Sequence, residues 1–182
     1  TITALQYTWA SMSLSLPFPA FLGLQELTDP ATLLQHDHRH ILVHKHDQDW
    51  RSLGMVLDSR RFPHLISTHP LRGALLCEVK DSSLRKWTLG TCHFPHHTTL
   101  AAAEPLLQGW MQAIPDDVDY VCLACDLNET FSCREGETVA HTARGHLILH
   151  TLESYSLRIL PQLQPGLLHL PPLQPGTLRQ EP

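Results

Sequence analysis

The sequence predicts an α/β fold, and three observations carry the prediction. Residues 120–126, Y-V-C-L-A-C-D, are a run of mostly apolar, β-forming residues that stops abruptly at Asp126, as expected of a strand buried on both faces. Over 100–114, Leu100, Ala103, Leu107, Trp110, Met111 and Ile114 recur at the helical period. Before that helix, K-W-T-L-G-T-C-H-F at 86–94 reads as a strand closed by Pro95. Strand, helix and strand in succession make an α/β sheet the expected arrangement.

Size and composition set the frame. With 182 residues and 42% hydrophobic content, one domain with a substantial core is expected over 1–160. Beyond Pro161, L-Q-P-G occurs at 163–166 and again at 173–176 amid further Pro and Leu, so 161–182 reads as an irregular tail. A net charge of −5 leaves no overall basic field to hold nucleic acid. Arg60-Arg61 and Arg85-Lys86 are the basic pairs that stand out, and both read as solvated surface. Five cysteines without a framework argue against a disulfide-stapled secreted domain and for a reducing, intracellular setting, nuclear or cytoplasmic. No apolar run is long enough to span a membrane, so no membrane partner is expected, and residues 1–21 lack the basic start of a signal peptide. The chain begins without Met, which reads as a fragment or a processed piece.

Taken in order, residues 2–9 have strand-like content and 11–19 are loop-like. A-F-L-G-L-Q at 20–25 is a strand that ends at Glu26 and meets a turn at Thr28-Asp29-Pro30. A short helix fits 31–35, then H-D-H-R-H at 36–40, and strands fit 41–44 and 54–57. Residues 74–80 and 86–94 form a hairpin around Asp81-Ser82-Ser83. Alternation puts Trp87, Leu89, Thr91 and His93 on one face, with His93 at the strand's end. Thr98 or Thr99 caps the helix that follows, and Pro105 either kinks it or opens a shorter one. After a loop containing Gly136, residues 142–155 read as a helix and 156–160 as a final strand.

Three strands therefore end in Glu26, in His93, and in Asp126 with Asn128. Open α/β sheets hold ligands outside the carboxyl ends of their strands. In extended chain Asp126 and Asn128 share a face, although a simple Asp/Asn turn explains the same composition. Two acids, an amide and an imidazole suit phosphodiester hydrolysis: hard oxygen ligands hold Mg²⁺ or Mn²⁺, and the imidazole supports a phosphoryl oxygen or the leaving group. Zinc is the competing reading, from Cys122, Cys125 and Cys133 or from His36, His38 and His40. Cys122 and Cys125 are three apart in a strand and point to opposite faces, so core cysteines are the better account. Cysteine nucleophilic catalysis has a single candidate pair, Cys92 beside His93, and their side chains alternate away from each other.

The motifs resemble the endonuclease/exonuclease/phosphatase superfamily, most closely the nucleases of non-LTR retrotransposons. Those residues are L-Q-E at 24–26, C-H-F-P at 92–95 and C-D-L-N at 125–128, in the family's order, over roughly 2–160. The resemblance implies a four-layer sandwich, two packed mixed β-sheets flanked by helices, incomplete towards its C-terminus. It also implies metal-dependent hydrolysis of DNA or another phosphodiester. Glu26 would bind the divalent metal, Asp126 would orient or deprotonate water, Asn128 would hold the phosphate or Asp126, and His93 would stabilise the phosphorane or assist the leaving oxygen. Three departures accompany it: Ala10 stands where the family has a metal-supporting Asn, Cys125 stands where it has Gly, and no Ser-Asp-His follows Leu160. His169 in the tail lacks the preceding acid. The departures imply a partly preserved site, with a non-catalytic scaffold or interaction domain as the alternative. A truncated sandwich is also expected to self-associate through an exposed sheet edge.

Overall fold

The computed structural model describes residues 20–27, 39–44, 52–134 and 137–159. The strand expected at 2–9, the helix at 31–35, His36, His38, Ala10 and the tail with His169 lie outside the described residues, as does the side chain of Glu26.

Two sheets stack face to face. The first is antiparallel, with β3 (Ser52–Asp58) between β1 (Phe21–Leu27) and β2 (Arg39–His44). The second has the order β4 (His64–Leu71), β5 (Ala74–Lys80), β6 (Lys86–His93), β7 (Tyr120–Asp126). Its first three strands are antiparallel neighbours, whereas β7 joins β6 in parallel through helix α1 (Leu100–Gln112). A short hairpin, β8 (Phe131–Arg134) with β9 (Glu137–Ala140), precedes helix α2 (Ala143–Ser154). The mixed α/β fold expected from sequence, two packed sheets with helices, is what these residues form.

Alternation along β5 and β6 sorts the core into two layers. Leu75, Cys77, Val79 and Leu89 meet Leu53, Met55 and Leu57 of β3 between the sheets. Ala74, Leu76 and Cys92 instead face Ala103, Leu107, Trp110 and Met111 of α1 and Ile148 of α2. Each fully buried Leu, Met or Phe contributes about 1.5–3 kcal/mol, so both layers are needed for a stable domain. Gly23 sits where β1 crosses the second sheet; a Cβ there would lie 2.5 Å from the Ala124 Cβ and 3.2 Å from the Thr91 Cβ, so close apposition requires glycine.

Both helices begin at threonine caps. The Thr99 hydroxyl accepts from the Ala102 N–H, and the Thr142 hydroxyl accepts from the Gly145 N–H. Pro105 stands inside α1 on an exposed position, so the Ala101 carbonyl it leaves unpartnered in the helix ladder faces outward. At the far end of α2, Ser156 takes a left-handed φ of 57°, the Leu157 N–H returns to the Leu152 carbonyl and the Ser156 N–H to that of Glu153. The chain turns away there, so the final strand expected over 156–160 does not form among the described residues.

The basic pairs are surface features with acidic partners. Arg60 reaches Asp58 at 2.9 Å, Arg85 reaches Asp81 at 2.8 Å, and Lys86 pairs with Asp117. No helix among the described residues is long and apolar enough to cross a membrane.

Candidate active site at the strand ends

Parallel pairing brings two site residues together directly. His93 and Asp126 are Cα partners at the carboxyl ends of β6 and β7, and the Phe94 N–H donates to the Asp126 carbonyl at 2.8 Å. Residues in register across a parallel pair share a face. That face is the one towards β1, because Thr91 and Ala124, two residues earlier on each strand, approach Gly23. His93 is buried at 6% exposure, whereas Asp126 is exposed.

Asn128 reaches the same place by a different route from the one alternation suggests. The strand ends at Asp126, and Asn128 takes a left-handed φ of 48°, a conformation asparagine tolerates. The Asp126 carboxylate accepts the Asn128 N–H at 3.2 Å, closing an Asx turn. This folds the Asn128 side chain back over β6, where its Nδ2 donates to the Phe94 carbonyl at 2.6 Å and lies 3.5 Å from His93 Nε2. Turn and cluster are therefore one arrangement: the turn is what carries the amide to the imidazole.

The end of β1 lies nearby. Gln25 Nε2 donates to Thr91 Oγ1 at 2.8 Å and to the Ala124 carbonyl at 3.0 Å, so the L-Q-E motif crosses β6 and β7 just before His93 and Asp126. Pairing of β1 with β3 shifts register between Leu24 and Leu27, a bulge that contains Glu26. The described donors at the strand ends are one carboxylate, one carboxamide and one imidazole. Among the described residues no group of three His, Cys, Asp or Glu gathers to hold a metal. These three alone do not complete a divalent-cation site.

Sequence reasoning missed a polar network behind the site. Glu129, whose side chain is 5% exposed, accepts from Arg144 Nε at 2.6 Å and from the Thr142 hydroxyl at 2.7 Å. Burial raises its carboxyl, but the bonds from Thr142 and Arg144 outweigh that and hold it below the usual glutamate range. Arg144 also donates to the carbonyls of Asn128 at 2.6 Å, Thr98 at 3.0 Å and His96 at 3.4 Å. One signal was present in the sequence: Arg144 is the second residue of a helix, where the macrodipole disfavours a cation. Gly145 makes room for this packing, since a Cβ there would lie 3.0 Å from the Ala140 Cβ and 3.2 Å from Thr142 Oγ1.

Beside the site a pocket of about 480 Å³ is lined by Arg72, Pro95, His97, Thr98, Thr99 and Leu106, and it does not include His93, Asp126 or Asn128. Cys92 and Cys125, the residues just before His93 and Asp126, are register partners on the helix-facing side of the sheet. The contact with Cys125, together with complete burial, pushes the Cys92 thiol well up, which removes it as a nucleophile.

No family model and no curated protein matches the chain. Among solved structures, ANGEL2, a 2',3'-cyclic phosphatase, is similar at 14% identity with a TM-score of 0.48. The match covers 60% of this chain and 39% of that one, so the chain spans well under half of ANGEL2, and a likeness at this level assigns no activity.

Proposed function

We propose that the chain is a phosphodiester hydrolase of the endonuclease/exonuclease/phosphatase type, acting on DNA. The observation that supports this best is the meeting of His93, Asp126 and Asn128 at adjacent parallel strand ends, with the L-Q-E strand packed across them. A Mg²⁺ or Mn²⁺ ion, held by Glu26, would when bound neutralise charge on the phosphate.

Each residue has a distinct task in this reading. Asp126 is solvent-exposed and is the acceptor for a proton from the attacking water. As the water oxygen bonds to phosphorus, the bond to the leaving oxygen breaks, and His93 delivers a proton to that oxygen. One N–H of Asn128 Nδ2 is on the Phe94 carbonyl, and the other is the donor lent to a non-bridging phosphoryl oxygen. The products are an alcohol and a phosphomonoester, with one proton gained by Asp126 and one given up by His93.

Titration calorimetry of magnesium and manganese into the full chain and into Glu26→Gln, with plasmid nicking by the full chain and by Asp126→Ala, tests the proposal. Binding lost in Glu26→Gln and nicking lost in Asp126→Ala are expected. A folded chain that neither binds metal nor nicks DNA overturns it. That outcome favours a non-catalytic scaffold, the reading supported by Ala10 and by Cys125 in place of glycine.

A further inference from the structure

We propose that Arg144 is a positioning residue for the strand-end site, locking the segment after β6 to the segment after β7; this rests on the hydrolase reading above. His93 and Asn128 come from separate strands, and each is followed by irregular chain that needs an anchor. Arg144 supplies one anchor to both. Its Nη2 holds the Asn128 carbonyl, and its Nη1 holds the Thr98 and His96 carbonyls on the segment that follows His93. Its Nε is fixed by Glu129, the residue next to Asn128, and Glu129 is fixed in turn by the Thr142 cap of α2.

The guanidinium suits this task for a specific reason. It presents five donors in a rigid plane and here spends four bonds on four partners in two segments. A lysine keeps the charge and loses the plane, so it cannot hold both segments in one geometry. The Asn128 side chain donates to the Phe94 carbonyl, so a shift of either segment changes that contact and the approach to His93 Nε2. A misplacement of about 1 Å costs on the order of 10²-fold in rate when the reacting groups themselves are intact.

The test uses the full ¹⁵N-labelled chain and Arg144→Lys. Two readouts are taken: the Asn128 side-chain amide resonances, and kcat and KM for bis(p-nitrophenyl) phosphate with manganese. The expected result for a folded Arg144→Lys chain is displaced Asn128 amide resonances and kcat lowered about 10- to 100-fold, with KM changed less than about two-fold. Asn128 resonances or kcat at wild-type values overturn the proposal. If the wild-type chain shows no turnover, the hydrolase reading fails by itself, and the Asn128 resonances decide the positioning role: displaced supports it, unchanged overturns it. If Arg144→Lys does not fold, Glu129→Gln, which removes the charged partner while keeping an acceptor for Thr142, is read by the same criteria.

Discussion

Two aspartates close turns at opposite ends of the β6–β7 pair, and they are equipped very differently. At the amino end, the Asp81 carboxylate takes the Ser83 and Arg85 N–H groups at 2.8 and 3.1 Å, Arg85 Nε at 2.8 Å and Trp87 Nε1 at 3.1 Å. Trp87 stacks on Tyr120 at 4.4 Å, and the Lys86 N–H donates to Asp119, which ties this end to β7. At the carboxyl end, among the described residues the Asp126 carboxylate accepts one hydrogen bond, from the Asn128 N–H. Both aspartates make an Asx turn, but only Asp126 keeps acceptor capacity in reserve and stands beside an imidazole. The composition of a turn says little about purpose; the number of donors already spent on its carboxylate says more.

The largest expected effect that sharpens this contrast is on rate. Asp126→Ala should lower phosphodiesterase kcat/KM by about 10²- to 10⁴-fold, the range of a lost general base, with a melting temperature close to wild type. Asp81→Ala should do the reverse, lowering the melting temperature by several degrees at unchanged kcat, because four donors lose their acceptor. An Asp126→Ala chain that loses stability as Asp81→Ala does would erase the distinction. Next comes Gly23→Ala, expected to destabilise by about 1–3 kcal/mol in urea melts because the new methyl meets Ala124 and Thr91. The same substitution should weaken metal binding, since it pushes β1 away from the strand ends.

A smaller effect follows from pH. Burial raises the Asp81 carboxyl, but bonds from Trp87, Arg85 and Ser83 hold it below the usual aspartate range, and Glu129 is held low by Thr142 and Arg144. Folded-state values below the unfolded ones, near about 4, mean stability fully present above that pH and lost as pH falls through the folded values. The urea midpoint should be level from about pH 7 to 5 and fall below about pH 4, and Asp81→Asn should flatten part of that fall. The smallest effect is chemical labelling. Cys122 and Cys125 are exposed, while burial pushes the Cys77 thiol up to about 12 and Cys92 is fully enclosed. Among these four, the native chain should react with a thiol reagent at Cys122 and Cys125.

How much of this was legible in the sequence depends on how local the physics is. The cap expected at Thr98 or Thr99 forms at Thr99, the hairpin arms expected over 74–80 and 86–94 form over 74–80 and 86–93, and the strand ending at Asp126 and the helix expected over 142–155, here 143–154, also follow from nearest neighbours and periodicity. The strand β4 was not foreseen: H-L-I-S-T-H-P-L has broken alternation and a proline, which an outermost strand tolerates. The β8–β9 hairpin fell in a segment read as loop, its strands being four residues each. At the site, Glu26, His93, Asp126 and Asn128 were singled out, but the left-handed turn at Asn128 that brings its amide to His93 was not. Glu129 and Arg144 stayed hidden because their pairing spans 15 residues and two loops, a relation no local pattern encodes.

The crossover from β6 through α1 to β7 has a kinetic consequence. His93, Asp126 and Asn128 all lie within or just beyond this continuous stretch, while L-Q-E arrives on a strand that ends 59 residues before β6 begins. Loop closure favours near neighbours, so the crossover is placed to assemble as one cooperative foldon before β1 docks across it. Native-state hydrogen exchange would then show β1 opening at lower free energy than β6, detaching the L-Q-E edge while the imidazole and the carboxylate remain paired. Under the hydrolase proposal, the grip on a metal ion would come and go with a partial unfolding event that leaves His93, Asp126 and Asn128 in place.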